Sequence, residues 1–519
     1  MINLSRRHLL AAGGAGGLLA LTGCGPSEKQ ATGPGPVPRR GGRLRLGIVD
    51  GDRSGNLDAH KPVGLGSTIR GFALYSKLWE WSPVMTPDLA LAEFAEVNDD
   101  ATQWTIRLKP GLEFHNGKSI TADDVIFSIR RLTDPQLASP YGSLVNQIDR
   151  DNLQKLDGLT VRIPVRDGQG FIALPDTWTN FGGIVPADYH PVTNPVGAGP
   201  YKLKNLGDYV PGQRALFTRF ENYFKDGKPY ADELEIIEFK DQTSRIAALL
   251  AGQIDLANAL LPEQVGLIRP GSGARVLVSQ TNGWQSFDMN TSVAPFNNVR
   301  VRQAFRLLVD RQDLVERALL GQGRIANDLY SPHDPTFDGS IPQRAYDPAA
   351  ARRLLDAAGY GTLKVELVAS PAAASAALVL AEQAKKAGVE ITVRKVDNPT
   401  FTGPQRLDWA FSSGGAMGSG MLGLSWIPTG LHTDAPTSAG NKTHFRDPEF
   451  ARLFTAALAQ PDLEKRKSLV HAGQRIQHDS GGMIIWGFSN TLDGIADRVG
   501  GAEAENSHFP TWRFDKLWV

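Results

Sequence analysis

Cysteine is almost missing from this chain: Cys24 is the single one in 519 residues. That excludes a disulfide framework within the chain and any zinc site built on paired cysteines. A charge surplus is missing too. Lys+Arg and Asp+Glu number 55 each, whereas a nucleic-acid binder normally carries a basic excess, so no nucleic acid is expected as a partner. Beyond the N-terminus no stretch approaches the roughly 18 consecutive apolar residues of a membrane helix. No short tandem repeat is present.

Catalytic motifs are equally scarce. There is no Gly-x-Ser-x-Gly elbow and no His-Glu-x-x-His. "GLEFHNGKS" approaches a phosphate loop, but Gly111 and Gly117 enclose five residues where the loop needs four. Gly418, Gly420 and Gly423 fit G-x-G-x-x-G, yet Pro428 and Gly430 interrupt the long helix that a dinucleotide site requires. His471 and His478 stand seven apart on a predicted helix with no acidic residue at metalloprotease spacing, and read as two solvated helix histidines. No catalytic residue, metal site or cofactor is expected, while paired catalytic carboxylates have no signature in one sequence and leave a glycosidase open.

What is there begins with an address. Ser5-Arg6-Arg7 precedes a weakly apolar run from Leu9 to Leu21, rich in Ala and Gly, which has the parts of a secretory signal. The paired arginines and glycine-rich middle resemble a twin-arginine export signal. "LTGC", residues 21–24, resembles the lipobox of bacterial lipoproteins, in which the chain is cut before the cysteine and its thiol is acylated. Residues 1–23 are thus expected to be a signal peptide. Residues 24–42 would be the lipidated Cys24 and a flexible tether, since "GPSEKQATGPGPVPRRGG" cannot bury enough apolar surface to offset its ordering entropy.

The body alternates strand and helix patterns. "RLRLGIVD" alternates as a strand, and Trp104, Ile106 and Leu108 share one face of another. Thr121 and Asp124 open a helix as a capping-box-like pair, with Val125, Ile126, Ile129 and Leu132 as its stripe. Asp310 and Asp313 open a later helix that stops at Gly321. Downstream, "YDPAAARRLLDAAGY", "TLKVELVAS", "ASAALVLAEQAKKAG" and "VEITVRKV" read helix, strand, helix, strand, followed by the strand "LDWAFSSG", a helical pair and a last strand, "GMIIWGF". Such alternation predicts α/β layers with mixed, mainly parallel sheets. Trp284, Trp409, Trp426, Trp486 and Phe488 sit near glycine loops and each alone reads as core.

Six stretches in order carry a family resemblance: "GLEFHNGKSITADDVIFSIRRLTDP", "GAGPYKL", "ENYFKDGKPYADELEI", "RIAALLAGQIDL", "FDMNTSVAPFNNVRVRQAFRLLVDRQDLVERALLG" and "YDPAAARRLLDAAGY". Together they resemble the extracytoplasmic solute-binding proteins of ABC importers, in the dipeptide/oligopeptide/nickel-binding family (family 5). The resemblance implies a two-lobed periplasmic-binding-protein-like α/β fold with a hinge and an inserted subdomain. Lobe I would take 43–70, 195–285 and 490–519, the inserted subdomain 71–194, and lobe II 286–489. It further implies a monomer, anchored by lipid in the periplasm or on the outer face of the cell membrane. Such a protein hands a peptide or other small molecule to membrane permease subunits that work with a cytoplasmic ATPase.

Peptide-binding relatives commonly carry Gly-Trp-x-x-Asp after the strand, where the Asp pairs with the peptide ammonium. Counting from Asp408, the Trp position falls on Gly414 and the Asp position on Met417. The departure implies that an unmodified di- or tripeptide held by its free amine is not the natural ligand. Expected cleft residues, chosen beside strand ends and the glycine loop, are Trp284, Gly415, Met417, Trp426 and Trp486. Two alternatives stay open: a secreted hydrolase-type lipoprotein, and a nickel-chelate binder with Met417 or a histidine near the metal.

Overall fold

The computed structural model describes residues 37–49, 56–62, 64–416, 422 and 441–519. The signal, Cys24 and most of the tether lie outside the described residues, and Pro38–Val519 form one compact unit.

The first strand, Arg43–Ile48, shows how alternation becomes architecture. Leu44, Leu46 and Ile48 are wholly buried. Arg43 and Arg45 turn the other way, to Glu233 at 2.7 Å and Asp255 at 3.2 Å. Each such buried Leu or Ile contributes ~1.5–3 kcal/mol. The strand is one of twelve in a single sheet. Its main path runs Val389–Lys395, Leu363–Ala369, Phe411–Ala416, Ala274–Met289, Met483–Ala496, Leu256–Ala257, Arg43–Ile48, Glu233–Glu238, Arg214–Arg219 and Tyr201–Leu203.

Three apolar cores organise the unit. One surrounds Arg43–Ile48 and includes Ile236, Ile495 and Leu517. A second holds Phe287, Phe305, Leu367, Leu380 and Trp486. The two long strands, Ala274–Met289 and Met483–Ala496, run between them: Ala274 and Ile495 lie in the first core, Phe287 and Ile484 in the second. These are the two lobes of a periplasmic-binding-protein-like fold. The third core joins Trp104, Ile106, Ile129 and Trp178 to Phe450, Phe454 and Ile485. A separate four-stranded sheet, Ala92–Val97, Gln103–Leu108, Thr160–Pro164 and Gln154–Lys155, thus shares its packing with the C-terminal helices.

The sheets are mixed, and their parallel share is smaller than the strand–helix alternation suggests. In the main sheet, parallel pairs join Arg43–Ile48 to Glu233–Glu238 and Leu256–Ala257, and Leu363–Ala369 to Val389–Lys395 and Phe411–Ala416. The centre is antiparallel because the two long strands cross between the lobes in opposite directions.

Local signals account for the helix starts. Thr121 N donates to Asp124 Oδ2 at 2.9 Å, closing the capping box of helix Ala122–Leu132. Asp310 Oδ1 accepts from Asp313 N at 3.1 Å at the start of helix Arg311–Ala318. "GLEFHNGKSI" is a hairpin, with Phe114 N bonded to Lys118 O at 2.8 Å and Gly117 at φ +81°. In lobe II one buried carboxylate, Asp328, holds the segment 323–344 against the helices. Arg311 Nη2 lies 2.7 Å from Oδ1, with Arg344 Nε at 2.9 Å and Arg306 Nε at 3.7 Å from Oδ2.

Candidate ligand cleft

Where the long strands pass from one core to the other, their ladder slips. The register shifts between Gln280 and Trp284 and again between Gln285 and Ser286. A cavity of about 380 Å³ opens at this break. One wall comes from lobe I, through Ala259, Leu260, Leu492 and His508. The other comes from lobe II, through Ser370, Ala372, Phe401 and the glycines Gly414 and Gly415. The long strands supply Gln285, Ser489, Asn490 and Thr491 between them.

None of the described lining residues is Asp, Glu, Lys or Arg. The polar groups are hydroxyls, amides and the imidazole of His508. Ser413 Oγ accepts from Ser370 N at 3.1 Å, and Thr491 Oγ1 shares a hydrogen bond with His508 Nδ1 at 2.9 Å. Asn490 Oδ1 is buried with no hydrogen-bond partner. An acceptor left in that state costs ~1–3 kcal/mol until a donor reaches it.

Charge lies just behind the walls. An added Cβ at Gly414 would come 2.2 Å from Asp288 Oδ2 and 2.4 Å from Ser286 Oγ, so only glycine lets the strand lie over that carboxyl. Ser286 Oγ donates to Asp288 Oδ1 at 2.7 Å, and Lys442 Nζ stays 3.9 Å from Oδ2. Burial raises the Asp288 pKa, with Lys442 and Ser286 opposing. Behind the other wall Asp493 Oδ1 accepts from Ala259 N at 2.8 Å, and burial pushes its pKa up to about 7.

Gly415 lines the cavity at φ +149°, where a Cβ would meet Trp284 O at 2.7 Å. Trp284 pairs across from Ala416 and packs its ring on Tyr330 at 5.2 Å, outside the lining. Trp486 is buried in the lobe II core, stacked on Phe287 at 6.2 Å. Met417, Trp426 and the glycines 418, 420 and 423 fall outside the described residues. Sequence reasoning passed over Gln285, Asn490, Phe401 and His508, which no local motif marks. Neither helix histidine is simply solvated. Arg344 Nη2 donates to His478 Nδ1 at 3.0 Å, and burial with that cation lowers the His478 pKa to about 4. His471 Nδ1 faces Asp338 at 3.8 Å.

The family model described as "Bacterial extracellular solute-binding proteins, family 5 Middle" matches residues 85–432. The chain belongs to this family. As a family 5 protein it is the non-catalytic, extracytoplasmic, two-lobed solute-binding component of an ABC importer. It is 28% identical over 477 residues to heme-binding protein A of Haemophilus influenzae, covering 82% of this chain and 84% of that one. With the periplasmic oligopeptide-binding protein OppA of the same organism it shares 27% over 343 residues, 60% of this chain and 63% of OppA. The crystal structure of the ABC transporter substrate-binding protein CtaP from Listeria monocytogenes superposes with a TM-score of 0.79. It is 23% identical, over 93% of this chain and all of CtaP (100%).

Proposed function

We propose that the protein is a lipid-anchored receptor for a peptide-like solute, which it holds through amide groups rather than through a free terminal ammonium. The chemistry of the cleft carries this reading. Its described lining offers hydroxyls, amides, the His508 imidazole and the unused acceptor Asn490 Oδ1, and no carboxylate. A buried ammonium without a carboxylate partner costs several kcal/mol, whereas an amide N–H aimed at Asn490 relieves an existing cost. The volume of about 380 Å³ suits a small ligand, such pockets spanning roughly 300–1,000 Å³. Met417 and Trp426 would complete the wall beyond Ala416.

Lobe I, from 43–70, 195–285 and 490–519, closes on lobe II, 286–489, with 71–194 as the insert. Closure gains ligand contacts that the open form lacks and so shifts the population toward closed. The closed form docks on the permease. "LTGC" supports acylation at Cys24, and more than one acyl chain is needed for a stable hold.

Native mass spectrometry of the purified protein identifies what co-purifies, and calorimetry then compares N-acetylated with free-amine peptides of the same sequence. Acetylated peptides are expected to bind at least about tenfold tighter, ~1.4 kcal/mol; equal or reversed affinities sink the reading. Asn490→Ala and Trp426→Ala each weaken binding. Cys24→Ser releases the protein from the membrane, or leaves it as precursor, with ligand affinity unchanged.

A further inference from the structure

Away from the cleft, a second cavity lies where helix Gly64–Leu74, strand Trp79–Trp81 and residues 509–515 meet. Its volume is about 60 Å³, room for roughly four waters on a scale where each needs about 15 Å³. Its wall is aromatic. Phe72 sits 5.0 Å from Phe509 and 5.4 Å from Trp512, and Phe509 sits 5.2 Å from Trp512, ring centre to ring centre.

Donors without acceptors belong to the cavity's lining residues. Lys77 is 9% exposed, and its Nζ lies 3.8 Å from the centre of the Phe72 ring. No hydrogen bond or ion pair joins that nitrogen to any described residue. Trp512 Nε1 and Arg513 Nη2, on two more lining residues, are buried with no hydrogen-bond partner. Arg513 Nε is held by Glu505 at 2.7 Å. Two carboxylates also line the cavity, Glu80 and Asp515, but Lys225 Nζ takes both, at 2.5 Å and 3.1 Å. Burial lowers the Lys77 pKa to about 7, with Arg513 acting in the same direction and Glu80 against. Unpaired polar groups in such a place are normally matched by a ligand or water.

We propose that this cavity binds a small organic carboxylate of acetate's size, its oxygens taken by Lys77 Nζ, Arg513 Nη2 and Trp512 Nε1 and its methyl group held against the aromatic wall. The unpartnered polar groups are all donors, and the two lining carboxylates are already held by Lys225, which selects an anion. The small volume excludes larger anions, and the apolar wall favours one with a hydrocarbon end.

Saturation-transfer NMR on the methyl protons of acetate, with the purified protein, tests the assignment. Transfer is expected with the natural sequence, at least about threefold less with Trp512→Phe, which keeps the ring and removes the N–H, and none with Lys77→Met. At matched ionic strength, acetate in place of chloride should raise Tm in the natural sequence and not in Lys77→Met. No transfer with the natural sequence overturns the proposal. So does equal transfer in Lys77→Met, which places acetate elsewhere, including in the main cleft. Should Lys77→Met fail to fold, Trp512→Phe decides alone, and undiminished transfer in it overturns the proposal.

Discussion

Asp288 and Asp328 are buried to nearly the same depth, 4% and 3% exposed, yet their acidities move in opposite directions. Burial pushes both pKa values up. At Asp328 the guanidiniums of Arg311, Arg306 and Arg344 outweigh it and hold the carboxyl below its usual range. At Asp288 one distant ammonium and one hydroxyl do not, and the pKa stays raised. Partner count, rather than depth, decides which way each acidity moves. The paired one anchors a segment. The poorly paired one lies behind the cleft wall, and Asp493, behind the opposite wall, is likewise raised.

The largest test of this contrast is Asp328→Ala. It strands three buried guanidiniums and should cost ~3–5 kcal/mol, read as a fall in the denaturant midpoint. Asp288→Ala should cost less than half as much, and equal losses would break the comparison. Next in size is Gly414→Ala, which drives a methyl into Asp288 Oδ2 and should cost ~1–3 kcal/mol. Making room with Asp288→Ala should recover at least ~0.5 kcal/mol of that in a double-mutant cycle.

pH dependence comes next, and its sign differs between the two sites. Asp288 is raised, so its contribution is full below the unfolded value of about 4 and is lost as pH rises through the folded value. Asp328 is lowered, so its contribution is present above the unfolded value and is lost as pH falls through the folded one. A Tm-against-pH series should show Asp288→Asn flattening the decline above about pH 4, and Asp328→Asn removing part of the acid-side loss. Asp493→Asn carries the same test to the opposite wall. The amide oxygen can still accept from Ala259 N, and the variant should gain stability over the natural sequence above pH 7, past the point at which Asp493, raised to about 7, releases its proton.

Local chemistry made the helix starts legible. Thr121 with Asp124 and Asp310 with Asp313 are read within one turn of chain, and both caps are present. The strand ends were harder. "GMIIWGF" suggests a strand that stops near Phe488, which would set Trp486 close to its end. The strand continues to Ala496 because its second half pairs with residues 274–280, and this puts Trp486 in its interior, facing a core. Gly415, named because a glycine loop after a strand is visible in one dimension, lines the cavity. His508 and Thr491 could not be found that way. They line one cavity with Ser370 and Phe401 only after the two lobes have met, and that leaves no period or spacing behind.

The slipped ladder at 280–286 also bears on how such a chain can change length. In a regular ladder one inserted residue turns every following side chain to the opposite face, which here would empty a core. Two opposite shifts already stand side by side in the long strands, between Gln280 and Trp284 and between Gln285 and Ser286. A gain or loss of one residue there can be absorbed between the lobes, leaving each lobe's inward and outward faces as they were. The break thus insulates the two halves of the sheet from each other's insertions and deletions, and lets the rim of the cleft be rewritten while both cores are kept.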